Sequence, residues 1–227
     1  MKFDVILADL DDTLFDFSTS SRQALRDTFR EMGLPKTLAR ADEFLPLNQS
    51  FWERFERGEI TKEFLCTARF QAFFERTGER GDPFEANEIY RDRLWRHVNF
   101  MPGCAALLDR LRPACRVYVI TNGTTDSQKR RLAASGMEGK FDGVFISEEM
   151  GCRKPEKIFF DRIFERLGED ARGRAIVLGD SLTSDMQGGR NAGLPTCFYG
   201  LREMADGRCD YAIERLLDFP AVIGLEG

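Results

Sequence analysis

Short apolar runs alternate with helical patterns along most of this chain, and that alternation limits the fold more than any other feature. Such runs, rich in β-branched residues, are typical of parallel strands buried on both faces. The predicted strands are Val5 to Asp9, Arg116 to Thr121, Val144 to Ser147, Ala175 to Asp180, Thr196 to Tyr199 and Tyr211 to Ile213. Strands that alternate with helices pair in parallel through right-handed crossovers. The sequence therefore predicts an α/β fold, with an open parallel Rossmann-like sheet between two layers of helices.

The segment from residue 16 to residue 100 interrupts this alternation, because it carries helical patterns and no convincing strand. Ser20 with Gln23 has the form of a capping box, and Thr61 is predicted to cap a later helix. In the rest of the chain, Ser184 with Gln187 forms a second predicted capping box. We therefore predict two domains, an α/β core of residues 1–15 and 101–227 and an all-helical cap domain of residues 16–100.

Charge and composition exclude several classes of protein. The formal net charge of -5 argues against a nucleic-acid polymer as partner, because phosphate backbones require a basic surface. No apolar run approaches the ~18–20 residues that cross a bilayer, and the first residues lack the apolar region of a signal peptide. The six scattered cysteines form no CxxC pair and are expected to be reduced thiols. We expect a cytoplasmic protein with no membrane partner, whose oligomeric state the sequence leaves open.

Acidic residues stand where the first and fourth predicted strands end. Asp9 ends the first strand with Asp11 two residues later, and Asp180 ends the fourth strand with Asp185 five residues later. Like charges at this spacing are costly unless a cation neutralises them or one keeps its proton. Because the carboxyl ends of parallel strands form the sites of open α/β sheets, we expect these side chains to lie close together. Carboxylate oxygens suit Mg²⁺, so the pattern predicts a magnesium site.

Groups suited to phosphate follow the second and third predicted strands. Thr121 leads into Asn122 and Gly123, a tight turn whose amides can face an anion, and Lys154 follows the third strand. The single histidine, His97, is interpreted as a surface or hinge residue, since no nucleophile motif such as GxSxG accompanies it.

Taken in order, these motifs resemble those of the haloacid dehalogenase superfamily. The matching residues are Asp9-x-Asp11-x-Thr13, Thr121, Lys154-Pro155, and Gly179-Asp180 with Asp185. The resemblance implies a Mg²⁺-dependent phosphomonoester hydrolase, and it places the helical insertion where members of the family carry a helical cap.

The resemblance also implies a role for each residue of the motifs. Asp9 would attack phosphorus and form an aspartyl phosphate, while Asp11 would protonate the leaving alcohol and then activate water. Asp185 would orient a metal-bound water or pair with Lys154, and Thr13 is expected to stabilise the turn after Asp9. The implied catalytic residues are Asp9, Asp11, Thr121 and Lys154. The implied metal ligands are Asp9, the backbone carbonyl of Asp11, Asp180 and Asp185, and the implied phosphate-binding residues are Leu10, Thr121, Asn122 and Lys154.

Finer similarities point to nucleotides as substrates. The chain resembles the bacterial pyrimidine 5'-nucleotidase group at residues 11–15, at Asn48 with Trp52, and at residues 58–61, 120–123 and 146–149. The implied partner is a small phosphorylated metabolite, a pyrimidine nucleoside monophosphate. Phe15, Phe17 or Trp52 could stack on the base and Asn48 could hydrogen-bond its edge, although Trp52 fits a packing position equally well.

Other activities stay open on the sequence alone. A phosphatase acting on sugar phosphates or phosphoglycolate would need the same motifs, and a phosphomutase would differ in how the cap excludes water. A 2-haloacid dehalogenase is disfavoured by Asp11, which the dehalogenases of the family lack. A non-catalytic binding module would be marked by the loss of Asp9, Asp11 or Lys154, and all three are present. Glu148, Glu149 and Cys152 receive no role.

Overall fold

A computed structural model describes residues 1–225 and divides the chain into two compact units. The core unit comprises Met1–Asp16 and the chain from Phe100 onward, and the helical unit comprises Phe17–Asn99. Each junction lies one residue away from the boundary expected from the sequence, which placed the insertion at residues 16–100.

Within the described residues, the core unit is built on one six-stranded parallel sheet. Its order is β3-β2-β1-β4-β5-β6, which places the fully buried strand β1 between β2 and β4. The prediction of an open parallel α/β sheet is therefore confirmed. The strands are β1 (Val5–Asp9), β2 (Arg116–Thr121), β3 (Gly143–Ile146), β4 (Ala175–Gly179), β5 (Thr196–Tyr199) and β6 (Tyr211–Ile213).

Strands β3 and β4 each end one residue earlier than predicted. Ser147 begins a short helix instead of ending β3. In β4, Gly179 is the last residue paired with β5, opposite Phe198, and the chain turns away at Asp180. Ser147 and Asp180 therefore lie just beyond the carboxyl ends of their strands, at the edge of the sheet where the site is predicted.

The helical unit contains five helices, all within the described residues. Its core is rich in aromatic rings, with the ring centroid of Phe44 4.9 Å from that of Phe70 and 5.3 Å from that of Phe73. Thr61 caps the fourth helix as predicted, because its hydroxyl accepts a hydrogen bond from the Phe64 amide at 3.2 Å. The helices are α1 (Phe17–Glu31), α2 (Pro35–Ala39), α3 (Phe44–Glu56), α4 (Lys62–Thr77) and α5 (Pro83–Leu94), with a 3-10 turn at Ala41–Glu43.

The helices of the core unit follow the strands in sequence. In the helix Lys157–Leu167, Phe160, Ile163 and Phe164 form one apolar face and are completely buried. None of the described helices has the length and apolar character needed to span a membrane. The helices are α6 (Cys104–Leu111), α7 (Thr125–Ser135), α8 (Ser147–Met150), α9 (Lys157–Leu167), α10 (Glu169–Arg172), α11 (Gln187–Asn191), α12 (Arg202–Ala205) and α13 (Phe219–Val222), with 3-10 turns at Glu138–Lys140 and Leu216–Asp218 and a π-helical turn at Leu182–Met186.

Both predicted serine capping boxes are wrong in position. Ser20 lies inside α1, which begins at Phe17, and its hydroxyl accepts hydrogen bonds from Asn99. Ser181 rather than Ser184 caps the π-helical turn, since its hydroxyl accepts a hydrogen bond from the Ser184 amide at 3.1 Å. Several neighbouring hydroxyls could serve as the cap in each segment, and only the residue with an extended backbone can do so.

Candidate active site

Three carboxylates gather where β1 and β4 end. Asp9 is the last residue of β1, Asp180 follows β4, and Asp185 lies in the π-helical turn that comes next. One carboxylate oxygen from each lies within 4.8 Å of the others. A compact set of oxygen ligands of this kind suits a hard divalent cation such as Mg²⁺.

The side chain of Lys154 joins two of these carboxylates. Its ammonium group donates hydrogen bonds to Asp9 Oδ1 at 2.5 Å, to Asp185 Oδ1 at 2.7 Å and to the backbone oxygen of Ile120 at 3.1 Å. Lys154 is only 1% exposed and Asp185 is completely buried. Because buried charges are costly unless they are paired, Lys154 compensates negative charge that the fold has removed from water.

Burial and the crowding of charges shift the pKa values of Asp9, Asp180 and Lys154. Burial raises the pKa of Asp9 well above its ordinary value, Lys154 opposes that shift, and the charge of Asp185 adds to it. The pKa of Asp180 is also raised, first by burial and then by the charges of Asp9 and Asp185. Burial alone would lower the pKa of Lys154, but Asp185 and Asp9 outweigh it and raise that pKa. A cation bound among these oxygens would relieve the repulsion.

The end of β2 holds the lysine loop in place. The side-chain amide of Asn122 donates to the backbone oxygen of Lys154 at 2.9 Å and accepts from the Lys154 amide at 3.0 Å. The peptide bond between Lys154 and Pro155 is cis. With the Asn122 side chain occupied in this way, its predicted phosphate contact rests with its backbone amide.

Thr121, the last residue of β2, lies in the same buried region. Its hydroxyl accepts hydrogen bonds from the Gly123 amide at 3.0 Å and from Gln128 Nε2 at 2.9 Å. A side chain at position 123 would collide with Gln128, since a Cβ atom there would lie 2.6 Å from Gln128 Cδ. A larger residue at position 123 would therefore displace the Gln128 side chain from its present position.

The turn after β1 differs from expectation at Thr13. Its hydroxyl donates to Asp180 Oδ1 at 3.1 Å, so Thr13 orients a carboxylate of the acidic group rather than the turn itself. The turn is formed by the backbone. The Leu10 oxygen accepts hydrogen bonds from the amides of Leu14 and Phe15, and Asp12 has a positive φ of 57°.

Two side chains that contact Asp11 were missed by sequence reasoning. Arg131 forms an ion pair with Asp11 Oδ1, and Gln128 Nε2 donates to Asp11 Oδ2 at 2.7 Å. Both residues lie on α7, three positions apart, so they share one helix face. The signal in the sequence is the three-residue spacing of these two polar side chains shortly after Thr121.

Four residues were predicted to recognise a base. Phe15 lies in the core unit, and Phe17, Asn48 and Trp52 lie in the helical unit. Phe15 belongs to the core unit and is completely buried, with its ring centroid 5.3 Å from that of Phe100. This placement argues against the prediction that Phe15 stacks on a base. In the helical unit, Phe17 begins α1 and packs partly buried against the aromatic core.

Asn48 and Trp52 both lie on α3 in the helical unit. The side-chain oxygen of Asn48 accepts a hydrogen bond from Arg69 Nη1 at 2.7 Å, and both residues are buried. Trp52 is half-buried and packs edge-on against Phe55, with ring centroids 5.8 Å apart. Trp52 therefore makes a packing contact, which is one of the two roles that the sequence left open for it.

The residues left without a role in the sequence have structural partners. Glu148 accepts a hydrogen bond from the Thr125 amide at 2.7 Å, and Glu149 pairs with Lys129, so both connect α8 to α7. Burial raises the pKa of the Cys152 thiol, which disfavours a reactive thiolate. His97 pairs with Asp27 within the helical unit, and all six cysteines are free thiols.

Comparison with known proteins was consistent with this geometry. Residues 3–193 match the profile of a family of hydrolases described as haloacid dehalogenase-like hydrolase. The HAD-hydrolase YfnB of Bacillus subtilis is 33% identical over 197 residues, which cover 87% of this chain and 84% of that protein. A crystal structure of the same protein bound to magnesium has a TM-score of 0.90 at 30% identity, covering 99% of this chain and 100% of that one.

Two further relatives carry the name of an activity. The pyrimidine 5'-nucleotidase PynA of Streptococcus pneumoniae is 34% identical over 200 residues, covering 88% of this chain and 84% of that protein. The pyrimidine 5'-nucleotidase YjjG of Escherichia coli is 34% identical over 209 residues, covering 91% of both proteins.

Replacing Lys154 by Met tests the charge balance of this group. We expect the free energy of unfolding at neutral pH to fall by about 3 kcal/mol, because Asp9 and Asp185 lose their buried partner. The deficit should shrink as the pH falls, since protonation of carboxyls with raised pKa values removes the uncompensated charge. Urea unfolding across pH measures both effects. Lys157→Met, which removes an exposed lysine paired with Asp161, is the control, and equal losses in the two variants would contradict this account.

Proposed function

The chain belongs to the haloacid dehalogenase-like hydrolases, and we propose that it is a Mg²⁺-dependent phosphatase acting on pyrimidine nucleoside 5'-monophosphates. The contact of Lys154 with both Asp9 and Asp185, in a group that also contains Asp180, carries the proposed reaction. The names of the Streptococcus pneumoniae and Escherichia coli relatives support the proposed substrate class.

The proposed metal ligands are the carboxylates of Asp9, Asp180 and Asp185 with the backbone carbonyl of Asp11. The raised pKa values of Asp9 and Asp180 support this choice, because burial and the neighbouring carboxylates make their negative charge unfavourable, and a cation would neutralise that charge. The magnesium-bound structure of the Bacillus subtilis relative supports Mg²⁺ as the ion. When bound, the ion would withdraw charge from the phosphoryl group during transfer.

In the proposed first step, a carboxylate oxygen of Asp9 attacks phosphorus and the bond to the leaving oxygen breaks. The electron pair of that bond goes to the leaving oxygen, which takes a proton from Asp11. Lys154 and Thr121 would stabilise the negative charge on the equatorial phosphoryl oxygens. In the second step, water attacks phosphorus, returns a proton to Asp11, and breaks the bond between Asp9 and phosphorus.

Replacing Asp9 by Asn tests the nucleophile. We expect Asp9→Asn to abolish phosphate release and to retain the fold, because an amide cannot form the acyl phosphate. Asp12→Asn is the matched control, since Asn tolerates the positive φ of that position and Asp12 lies outside the acidic group. Phosphate release with and without Mg²⁺ measures the effect, and substantial turnover by Asp9→Asn would exclude the mechanism.

A panel of phosphomonoesters tests the substrate class. We expect UMP, dUMP and dTMP to be hydrolysed with higher kcat/KM than sugar phosphates or phosphoglycolate. A flat response to the nucleotides beside strong turnover of sugar phosphates would overturn the nucleotidase assignment and leave the phosphatase assignment intact. Conversion of a sugar phosphate to its isomer would instead indicate a phosphomutase, and chloride release from 2-haloacids would indicate a dehalogenase.

We further propose that Asn48 contacts the pyrimidine edge through its NH₂ group. A guanidinium only donates hydrogen bonds, so Arg69 must face the oxygen of Asn48, and the NH₂ group is the part that can serve another partner. Carbonyl oxygens on the edge of a pyrimidine are suitable acceptors for that donor. Trp52 and Phe17 remain proposals for stacking on the base.

Asn48→Asp separates base recognition from folding. The new carboxylate keeps an oxygen for Arg69 and replaces the donor with an acceptor, so we expect kcat/KM for UMP to fall about tenfold or more. Asn87→Asp is the control, because Asn87 also accepts from Arg69, at 3.0 Å, and should gain the same buried charge pair. Unchanged UMP kinetics in a folded Asn48→Asp variant would rule out the contact.

A further inference from the structure

The carboxylate of Asp11 is held by a closed network of buried side chains. Gln128 Nε2 donates to Asp11 Oδ2 at 2.7 Å and to the Thr121 hydroxyl at 2.9 Å. Arg131 Nη1 pairs with Asp11 Oδ1 and also donates to Gln128 Oε1 at 3.0 Å. Each of the two α7 side chains therefore contacts both Asp11 and the other.

The two α7 members of the network are buried and closely packed. Gln128 and Arg131 are each 1% exposed, whereas the side chain of Asp11 is 27% exposed. The guanidinium of Arg131 lies over the ring of Phe15, 5.5 Å from its centroid. Gly123 packs so closely on Gln128 that a larger residue there would force the Gln128 side chain to move. Such enclosure restricts the rotamers of both α7 side chains, while the side chain of Asp11 stays partly exposed.

We propose that Gln128 and Arg131 are positioning residues that orient Asp11 for proton transfer and link it to the phosphate-binding Thr121. The assignment rests on the proposed function. This positioning role is distinct from the roles of the motif residues. Gln128 and Arg131 both act through Asp11, and neither belongs to the motifs that indicated the site. A fixed carboxylate loses little freedom on reaching the transition state, so orientation contributes directly to the rate.

The two side chains should differ in their kinetic effects. Arg131 contacts Asp11 and Gln128, so Arg131→Met should lower kcat for UMP about 10²-fold or more, within the range of acid–base catalysis, and leave KM within about twofold. Gln128 also holds Thr121, so Gln128→Met should lower kcat and raise KM. Arg131→Lys keeps the charge but not the planar fork, and it should recover only part of the lost rate.

A substrate whose leaving group needs no proton provides the decisive comparison. With p-nitrophenyl phosphate, Arg131→Met should release about one equivalent of nitrophenolate per site in a rapid burst. Slow turnover should follow, because water attack on the intermediate still needs Asp11. Asp11→Asn should behave in the same way, and adding Arg131→Met to it should cause no further loss. Stopped-flow absorbance on the full chain with Mg²⁺ measures the burst, and Arg130→Met, which removes an exposed pair with Asp126, is the control.

The possible outcomes distinguish a failure of the roles assigned to Gln128 and Arg131 from a failure of the proposed function. Equal loss of the burst and of UMP turnover in folded Arg131→Met and Gln128→Met would show a merely structural role and overturn the assignment. A raised KM with unchanged kcat in Arg131→Met would also overturn it, because Arg131 would then bind substrate. If the wild type is active, either of these results leaves the proposed function intact. A wild type that hydrolyses no phosphomonoester overturns the proposed function and the assignment together.

Discussion

The buried ammonium group of Lys154 is the interaction on which the rest of the site depends. Asp9, Asp180 and Asp185 would repel one another strongly in a region with little water, and Lys154 binds two of the three directly. Its own position is fixed by the Ile120 oxygen and by the paired hydrogen bonds of Asn122 to its backbone. The charge balance therefore connects β1, β2, the lysine loop and the turn after β4.

The order of the strands explains why these groups meet. Because β1 lies between β2 and β4, the residues that end or follow the two flanking strands surround Asp9. Asp9 is paired with Ile120, one residue before Thr121, so the hydroxyl and the carboxylate leave the sheet almost level with each other. The helix after β2 then brings Gln128 and Arg131 back to Asp11. Three neighbouring strand ends, the loop that carries Lys154 and one face of α7 thus supply the polar groups on which the proposed chemistry depends.

Much of this arrangement could be predicted from the sequence, for a physical reason. Buried parallel strands carry continuous apolar runs, so their ends are visible, and polar residues at the ends of neighbouring strands must converge. Side chains on helices are harder to place, because their direction depends on how the helix packs against the sheet. Gln128 and Arg131 were missed for that reason, although both are buried.

Local sequence also leaves burial and backbone shape undetermined at other positions. Phe15 follows the first motif and could equally have been exposed, yet its ring is enclosed by Phe100 and Arg131. Neighbouring serines offered several caps, and the structure selects Ser181. The assigned roles of Asp9, Asp11 and the cap residues stay predictions, since they concern reactivity rather than position.

The most direct test of the central claim is to look for phosphate on Asp9 during turnover. The wild type and Asp11→Asn, in which hydrolysis of the intermediate should be slow, would be mixed with p-nitrophenyl phosphate and Mg²⁺ and quenched in acid. Mass spectrometry of the peptide that contains Asp9 should then show one added phosphate, which hydroxylamine removes and which Asp9→Asn lacks. Turnover without phosphate on this peptide, or with phosphate on another residue, would contradict the account.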